Sequence, residues 1–280
     1  MEKSIKKYWP IFVLPTFAAF IIGFIVPFIE GIYLSFCKFT TIRDASFVGL
    51  SNYVEAFKDN TFTHAFGFTA VFAVVTLVLI NVLAFAIALA LTQKIKGTNI
   101  FRTIFFMPNL IGGIVLGYIW QLIFDGIFEK FDLALKLSAK LGFWGLVILI
   151  CWQQIGYMMI VYIAGLQAIP GSLNEAAMID GANKWARFRN ITIPMLSPTL
   201  FFVLINTIIS SFQVFDQAFV MTKGGPVKAS YTLVYHIYQS AFVEFKMGRA
   251  CAASMILFVI ILAITMVQMY GSKRWVNYEQ

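Results

Sequence analysis

Six apolar stretches, each long enough to cross the roughly 30 Å hydrocarbon core of a bilayer as a helix, constrain this 280-residue chain more than any other feature. They run over Ile11–Leu34, Ala65–Leu91, Ile104–Phe124, Phe143–Ala168, Thr199–Met221 and Ala250–Tyr270. Composition agrees: 60% of residues are hydrophobic and 12% charged, against roughly 45–50% and 25% in soluble domains. Too little polar surface is available to cover so much apolar side chain in water. A soluble enzyme, a disordered tail and a secreted disulfide scaffold are excluded, and an all-α membrane protein with six crossings is expected.

Six crossings put both termini on one side. The basic start, Lys3, Lys6 and Lys7, resembles a signal peptide, but the apolar run behind it is too long for one and lacks a small-x-small cleavage site, so it reads as a retained first helix. With the N-terminus in the cytoplasm, eleven of the 21 Lys and Arg fall on the inside segments and ten on the longer outside ones. The short connection between the second and third spans carries Lys94, Lys96 and Arg102 without an acid, which favours the same N-in, C-in orientation. Pro15, Pro27 and Pro108 lie in or beside spans and favour kinks there.

Cys37, Cys151 and Cys251 are widely spaced and read as buried thiols; His64 and His236 have no ligand-spaced Cys, Asp or Glu beside them, so no metal site is expected. No cluster of nucleophile, base and orienting group suggests a catalytic residue. No G-x-x-x-x-G-K-[ST] occurs, so the chain does not cradle nucleotide phosphates by that loop. The net charge of +8 is spread over span ends, a membrane pattern rather than a nucleic-acid footprint.

Between the fourth and fifth spans lies a polar stretch, 170–198, that reads as two short helices. Ser172 and Glu175 have capping-box spacing, Gly181 supplies a residue that accepts positive φ, and Asn183 can start the second helix. That helix offers Trp185 and Phe188 on one side and Lys184, Arg187 and Arg189 on the other, with Pro194 and Pro198 expected to stop it. On physics alone the pair is either an interfacial hairpin resting on headgroups or a knob for a cytoplasmic partner.

The run Glu175-Ala176-Ala177, three residues, Asp180 among them, then Gly181, nine residues, and Ile191-Thr192-Ile193-Pro194 resembles the EAA loop of ABC importer permeases, with Ile193 where Leu is usual. Phe47-Val-Gly-Leu-Ser-Asn-Tyr53 with Asp59, Phe101-Arg-Thr-Ile-Phe-Phe-Met-Pro108 with Trp120, and Met221-Thr-Lys-Gly-Gly-Pro226 with the segment to Phe242 are similar to the binding-protein-dependent sugar permeases of the maltose and multiple-sugar type, the first permease of each pair in particular. The extra N-terminal spans and large outer domain of the maltose prototype have no counterpart.

The resemblance implies a type I ABC importer permease fold, one domain over 1–280, in a bacterial or archaeal inner membrane. It implies a second six-span permease, two copies of a P-loop ATPase that carry ATP and Mg, and an extracytoplasmic solute-binding protein. Glu175, Ala176, Ala177, Asp180, Gly181, Ile191 and Pro194 would couple to the ATPase, with Gly181 fixing the bend.

A sugar path needs hydrogen-bonding groups shielded from lipid. Asn206, Ser210, Gln213 and Gln217 recur at spacings of four, three and four on the fifth span, within a stripe of roughly 60°, with Ser211 beside them and Asp216 off the stripe. Gln153 and Tyr157, with Gln154 and Trp152 adjacent, occupy the fourth span; Tyr118, Gln121 and Asp125 the third. Polar glue between helices explains such stripes equally well. The resemblance favours the spans flanking the loop. A permease for glycerol phosphate or polyamine stays open as an alternative. An ion-coupled transporter needs buried mid-membrane carboxylates, whereas Glu30 and Asp216 lie near span ends.

Overall fold

The computed structural model describes residues 2–93, 96–274 and 276, the side chains of residues 2–8 and of Phe12 excepted. Lys94 therefore lies outside the described residues, as do the side chains of Lys3, Lys6 and Lys7. The chain is almost entirely helical and divides into two compact units, residues 1–60 with 237–258, and residues 61–236 with 259–280.

The first unit begins with α1 (Glu2–Phe20), a π turn (Ile21–Ile25) and α2 (Val26–Ser35). Pro27 falls in the first turn after the π turn, where the Val26 N–H donates to the Ile21 carbonyl, so the helix continues past the proline instead of breaking. A two-stranded antiparallel hairpin follows, β1 (Cys37–Lys38) with β2 (Ser46–Phe47), pairing Cys37 with Phe47 and Lys38 with Ser46.

Asn52 and Tyr53 lie on α3 (Ser51–Lys58). The Asn52 amide, 5% exposed, donates to the Ser35 and Cys37 carbonyls at 2.9 and 2.8 Å, and the Tyr53 hydroxyl meets Ser35 Oγ at 2.6 Å. Those bonds satisfy carbonyls left open where α2 ends. Arg249 donates to Glu55, which holds that carboxyl below its ordinary range.

The second unit is built around α7 (Ala139–Ala168). Of its most apolar stretch 61% is buried, so α7 is the core helix of this unit. It packs against α4 (Asn60–Leu91), α5 (Thr98–Phe106), α6 (Gly113–Phe128) and α11 (Ser197–Phe212) around Leu146, Met158, Met159 and Tyr162. Buried polar links tie the helices together: Tyr162 donates to Asn81 at 2.7 Å, Asn81 to Thr207 at 3.4 Å, and Thr76 shares a 2.9 Å bond with Ser211. In hydrocarbon such bonds add specificity to packing that has little hydrophobic driving force.

Among the described residues, five helical segments are long and apolar enough to cross a membrane: Trp9–Ser35, Asn60–Leu91, Ala139–Ala168, Ser197–Met221 and Met247–Ser272. The sixth expected crossing, Ile104–Phe124, is not one straight helix. Thr98–Leu110 and Gly113–Phe131 meet at a bend of 101°. Pro108 lies in a 3-10 turn (Met107–Leu110), Ile111 is extended, and Gly112 has ψ 142°, so the helical ladder ends there and restarts. Hydropathy averages over the break, which is why an apolar count alone reads the stretch as continuous.

Candidate functional site

The 170–198 segment opens with α8 (Gly171–Ile179), capped by Pro170 without a side-chain bond. Ser172 is thus the second residue of the helix, and the expected capping box with Glu175 does not form: its hydroxyl is already inside the first turn, and the fixed φ of Pro170 makes the cap instead. The other end follows the sequence. Gly181 has φ +78°, its N–H donates to the Met178 carbonyl at 3.1 Å, and the Ala182 N–H reaches back to Ala177 at 2.9 Å, a complete Schellman closure.

Asn183 caps α9 (Lys184–Arg187), accepting from the Ala186 N–H at 2.8 Å. Pro194 and Pro198 do not stop the chain, contrary to expectation. A π turn (Phe188–Thr192) precedes Pro194 in α10 (Ile193–Met195), and Pro198 lies in the first turn of α11, where its missing N–H leaves no helical bond unmade.

The result is a stiff helical hairpin with two contrasting faces. Phe188 packs against Phe85 at 6.1 Å, anchoring the hairpin to α4, and stacks on Trp185 at 5.5 Å. Glu175, Ala176, Met178, Ile179, Asp180 and Gly181 stand in solvent, Ile179 at 87% exposure and Met178 at 60%. Ala177, Ile191 and Pro194 are half-buried.

The path residues separate into two groups. The fifth span is itself discontinuous, with α11 ending at Phe212 and α12 (Asp216–Met221) starting after three non-helical residues. The break interrupts the expected helical stripe and turns Asp216 toward the same space as Ser210, Gln213 and Gln217. Gln154, Ser210, Gln213, Asp216 and Gln217 line a polar cleft of ≈ 200 Å³.

Asn206 is half-buried and receives a weak bond, 3.5 Å, from Ser210; Tyr157 packs on the hydrophobic core. Ser211 and Gln153 instead tie helices together in this structure. Ser211, 1% exposed, is committed to Thr76, and Gln153, 7% exposed, accepts from Gln217 at 2.8 Å and donates to the Ile111 carbonyl at 3.3 Å. Gln153 therefore holds together the break in the third span and the start of α12.

Sequence reasoning missed how these two breaks meet. A Cβ added to Gly113 would lie 2.8 Å from Asp216 Cβ and from Gln217 Nε2, and one on Gly117 would lie 3.1 Å from Val220 Cβ. Gly113-x-x-x-Gly117 is a small-x-x-x-small face on which α12 lies, and the spacing was legible in the sequence.

Comparison with known proteins agrees with this geometry. Residues 89–277 match the family described as binding-protein-dependent transport system inner membrane component. The chain is 41% identical over 275 residues to the probable starch degradation products transport system permease protein of Thermoanaerobacterium thermosulfurigenes, covering 95% of this chain and 94% of that protein. It is 34% identical to the sn-glycerol-3-phosphate transport system permease protein of Brucella abortus, covering 98% and 97%. Its fold is similar to a chain of a bacterial alginate ABC transporter solved in complex with an alginate pentasaccharide-bound periplasmic protein, with a TM-score of 0.83 at 19% identity, covering 100% of this chain and 99% of that one.

Proposed function

Because the chain belongs to the family of binding-protein-dependent transport system inner membrane components, we propose that it forms half of the path of an ATP-driven importer for a sugar or oligosaccharide. The observation that carries the sugar reading is the cleft of amide and hydroxyl groups with one carboxylate, Asp216, at the break in the fifth span. Sugar hydroxyls exchange hydrogen bonds with such groups at little net cost, whereas hydrocarbon offers them none. The relative named for starch degradation products supports the same substrate class.

In this reading the N- and C-termini and the 170–198 hairpin face the cytoplasm of a bacterial cell, in its inner membrane. A second permease completes the path, an extracytoplasmic binding protein delivers the solute, and two ATPase subunits hold ATP and Mg. The exposed Met178 and Ile179 enter a cleft of the ATPase, with Glu175 as the charged partner beside them. Closure of the ATPases moves α8 as a rigid body, and the anchoring of Phe188 on Phe85 passes that movement to the spans. A loaded binding protein favours the outward-open state because it binds that state better.

Uptake in proteoliposomes tests the path. Asn206→Ala, Ser210→Ala and Gln213→Ala are each expected to lower sugar uptake about 2- to 10-fold, the worth of one hydrogen bond, with the complex still assembled. Wild-type uptake in all three removes the cleft from the path.

A further inference from the structure

We propose that Asp216 sets the charge selectivity of the cleft, making this permease pass neutral, hydroxyl-rich solutes and reject anionic ones of the same size. The proposal rests on the importer reading above and deepens it.

Among the residues lining the cleft, Asp216 alone is charged, and no Lys, Arg or His lines it. No ion pair to Asp216 exists among the described residues, so its carboxylate acts on whatever enters the cleft. The neighbouring groups, from Gln154, Ser210, Gln213 and Gln217, are uncharged and can turn either a donor or an acceptor toward a solute. A carboxylate accepts hydroxyl protons on both oxygens, so it strengthens binding of a polyol. The same group repels a phosphate or a uronate, the more strongly the less water separates the two charges.

The backbone is built around this side chain. Gly113 lies so close that a Cβ there would come within 3.0 Å of Asp216 Oδ2 and 2.8 Å of its Cβ. Glycine at 113 thus leaves the carboxylate its space, and the 101° bend brings that glycine to it. At ≈ 200 Å³ the cleft is smaller than the roughly 300–1,000 Å³ of drug-sized sites, which suits one sugar ring at a time. Relatives named for starch degradation products and for sn-glycerol 3-phosphate both align over nearly the whole chain, so overall similarity does not distinguish the two charges.

The test uses the purified permease–ATPase complex in nanodiscs without its binding protein, so that any selection belongs to the permease. Equilibrium dialysis compares radiolabelled maltotriose with maltotriose in which one ring is oxidised to the glucuronate. The wild type is expected to prefer the neutral sugar by about tenfold or more, with the margin shrinking as salt is added. Asp216→Asn should erase most of that preference, chiefly by improving binding of the glucuronate form, and Asp216→Glu should restore it. Equal binding of both sugars by the wild type, or full discrimination retained by Asp216→Asn, overturns the proposal. Binding of neither sugar by an intact complex overturns the sugar path itself and the proposal with it.

Discussion

A methyl group added at Gly156 is expected to destabilise the chain by about 3 kcal/mol or more, the upper end of overpacking penalties. A Cβ there would stand 1.9 Å from the Phe105 carbonyl oxygen, 2.4 Å from its carbon and 2.8 Å from the Phe106 Cα. All three are backbone atoms, so no rotamer change relieves the clash; α5 would have to move off α7 as a whole. That movement would also disturb the adjoining break at Ile111, where Gln153 is bonded. Gly156→Ala should therefore lower the apparent Tm of the purified protein by roughly 6–12 °C, on the scale of about 2–4 °C per kcal/mol for chains of this size. Gly67→Ala is the control: nothing lies within 4 Å of a Cβ there, and its Tm should be unchanged or slightly raised. Equal behaviour of the two variants would contradict the close approach of α5 to α7.

Gly181→Val is expected to separate ATP hydrolysis from transport while leaving the membrane spans folded. Gly181 has φ +78° in open space, so the substitution meets no neighbour and acts only on the backbone. A β-branched residue strongly disfavours that conformation, and the Schellman closure that fixes the angle between α8 and α9 would open. Uptake per ATP hydrolysed should fall about tenfold or more, since docking surfaces misplaced by about 1 Å lose orders of magnitude in rate. Gly181→Asn should be milder, because Asn tolerates positive φ. Glu175→Ala should weaken ATPase binding without altering the hairpin, as its carboxylate makes no cap. A Gly181→Val variant with the wild-type ratio of uptake to hydrolysis would remove the hairpin from coupling.

The membrane character, five of the spans and both ends of the coupling hairpin's turn were legible because each rests on local chemistry: apolar length, a glycine that must take positive φ, an Asn that caps. Pro108 marked a kink in the third span, but the size of the bend at Ile111 was not legible, since one proline and two glycines inside an apolar run occur in nearly straight membrane helices too. The failed Ser172 capping box has the same origin, for a short motif cannot say which of two adjacent residues the helix begins on. The path stripe was legible in part. Ser210, Gln213 and Gln217 do line one cleft, but the three residues between α11 and α12 bring Asp216 into it as well, which periodicity along one continuous helix does not foresee. Polar residues facing a path and polar residues gluing helices look alike until the partner atom is known.

Affinity purification of the tagged full-length chain in mild detergent, with mass spectrometry of the proteins that accompany it, tests the central claim most directly. The account predicts a P-loop ATPase and a second six-span permease in the same complex, with the ATPase lost when Ile179 is changed to Asp. Recovery of this chain alone, under conditions that preserve a known importer complex purified in parallel, would contradict it.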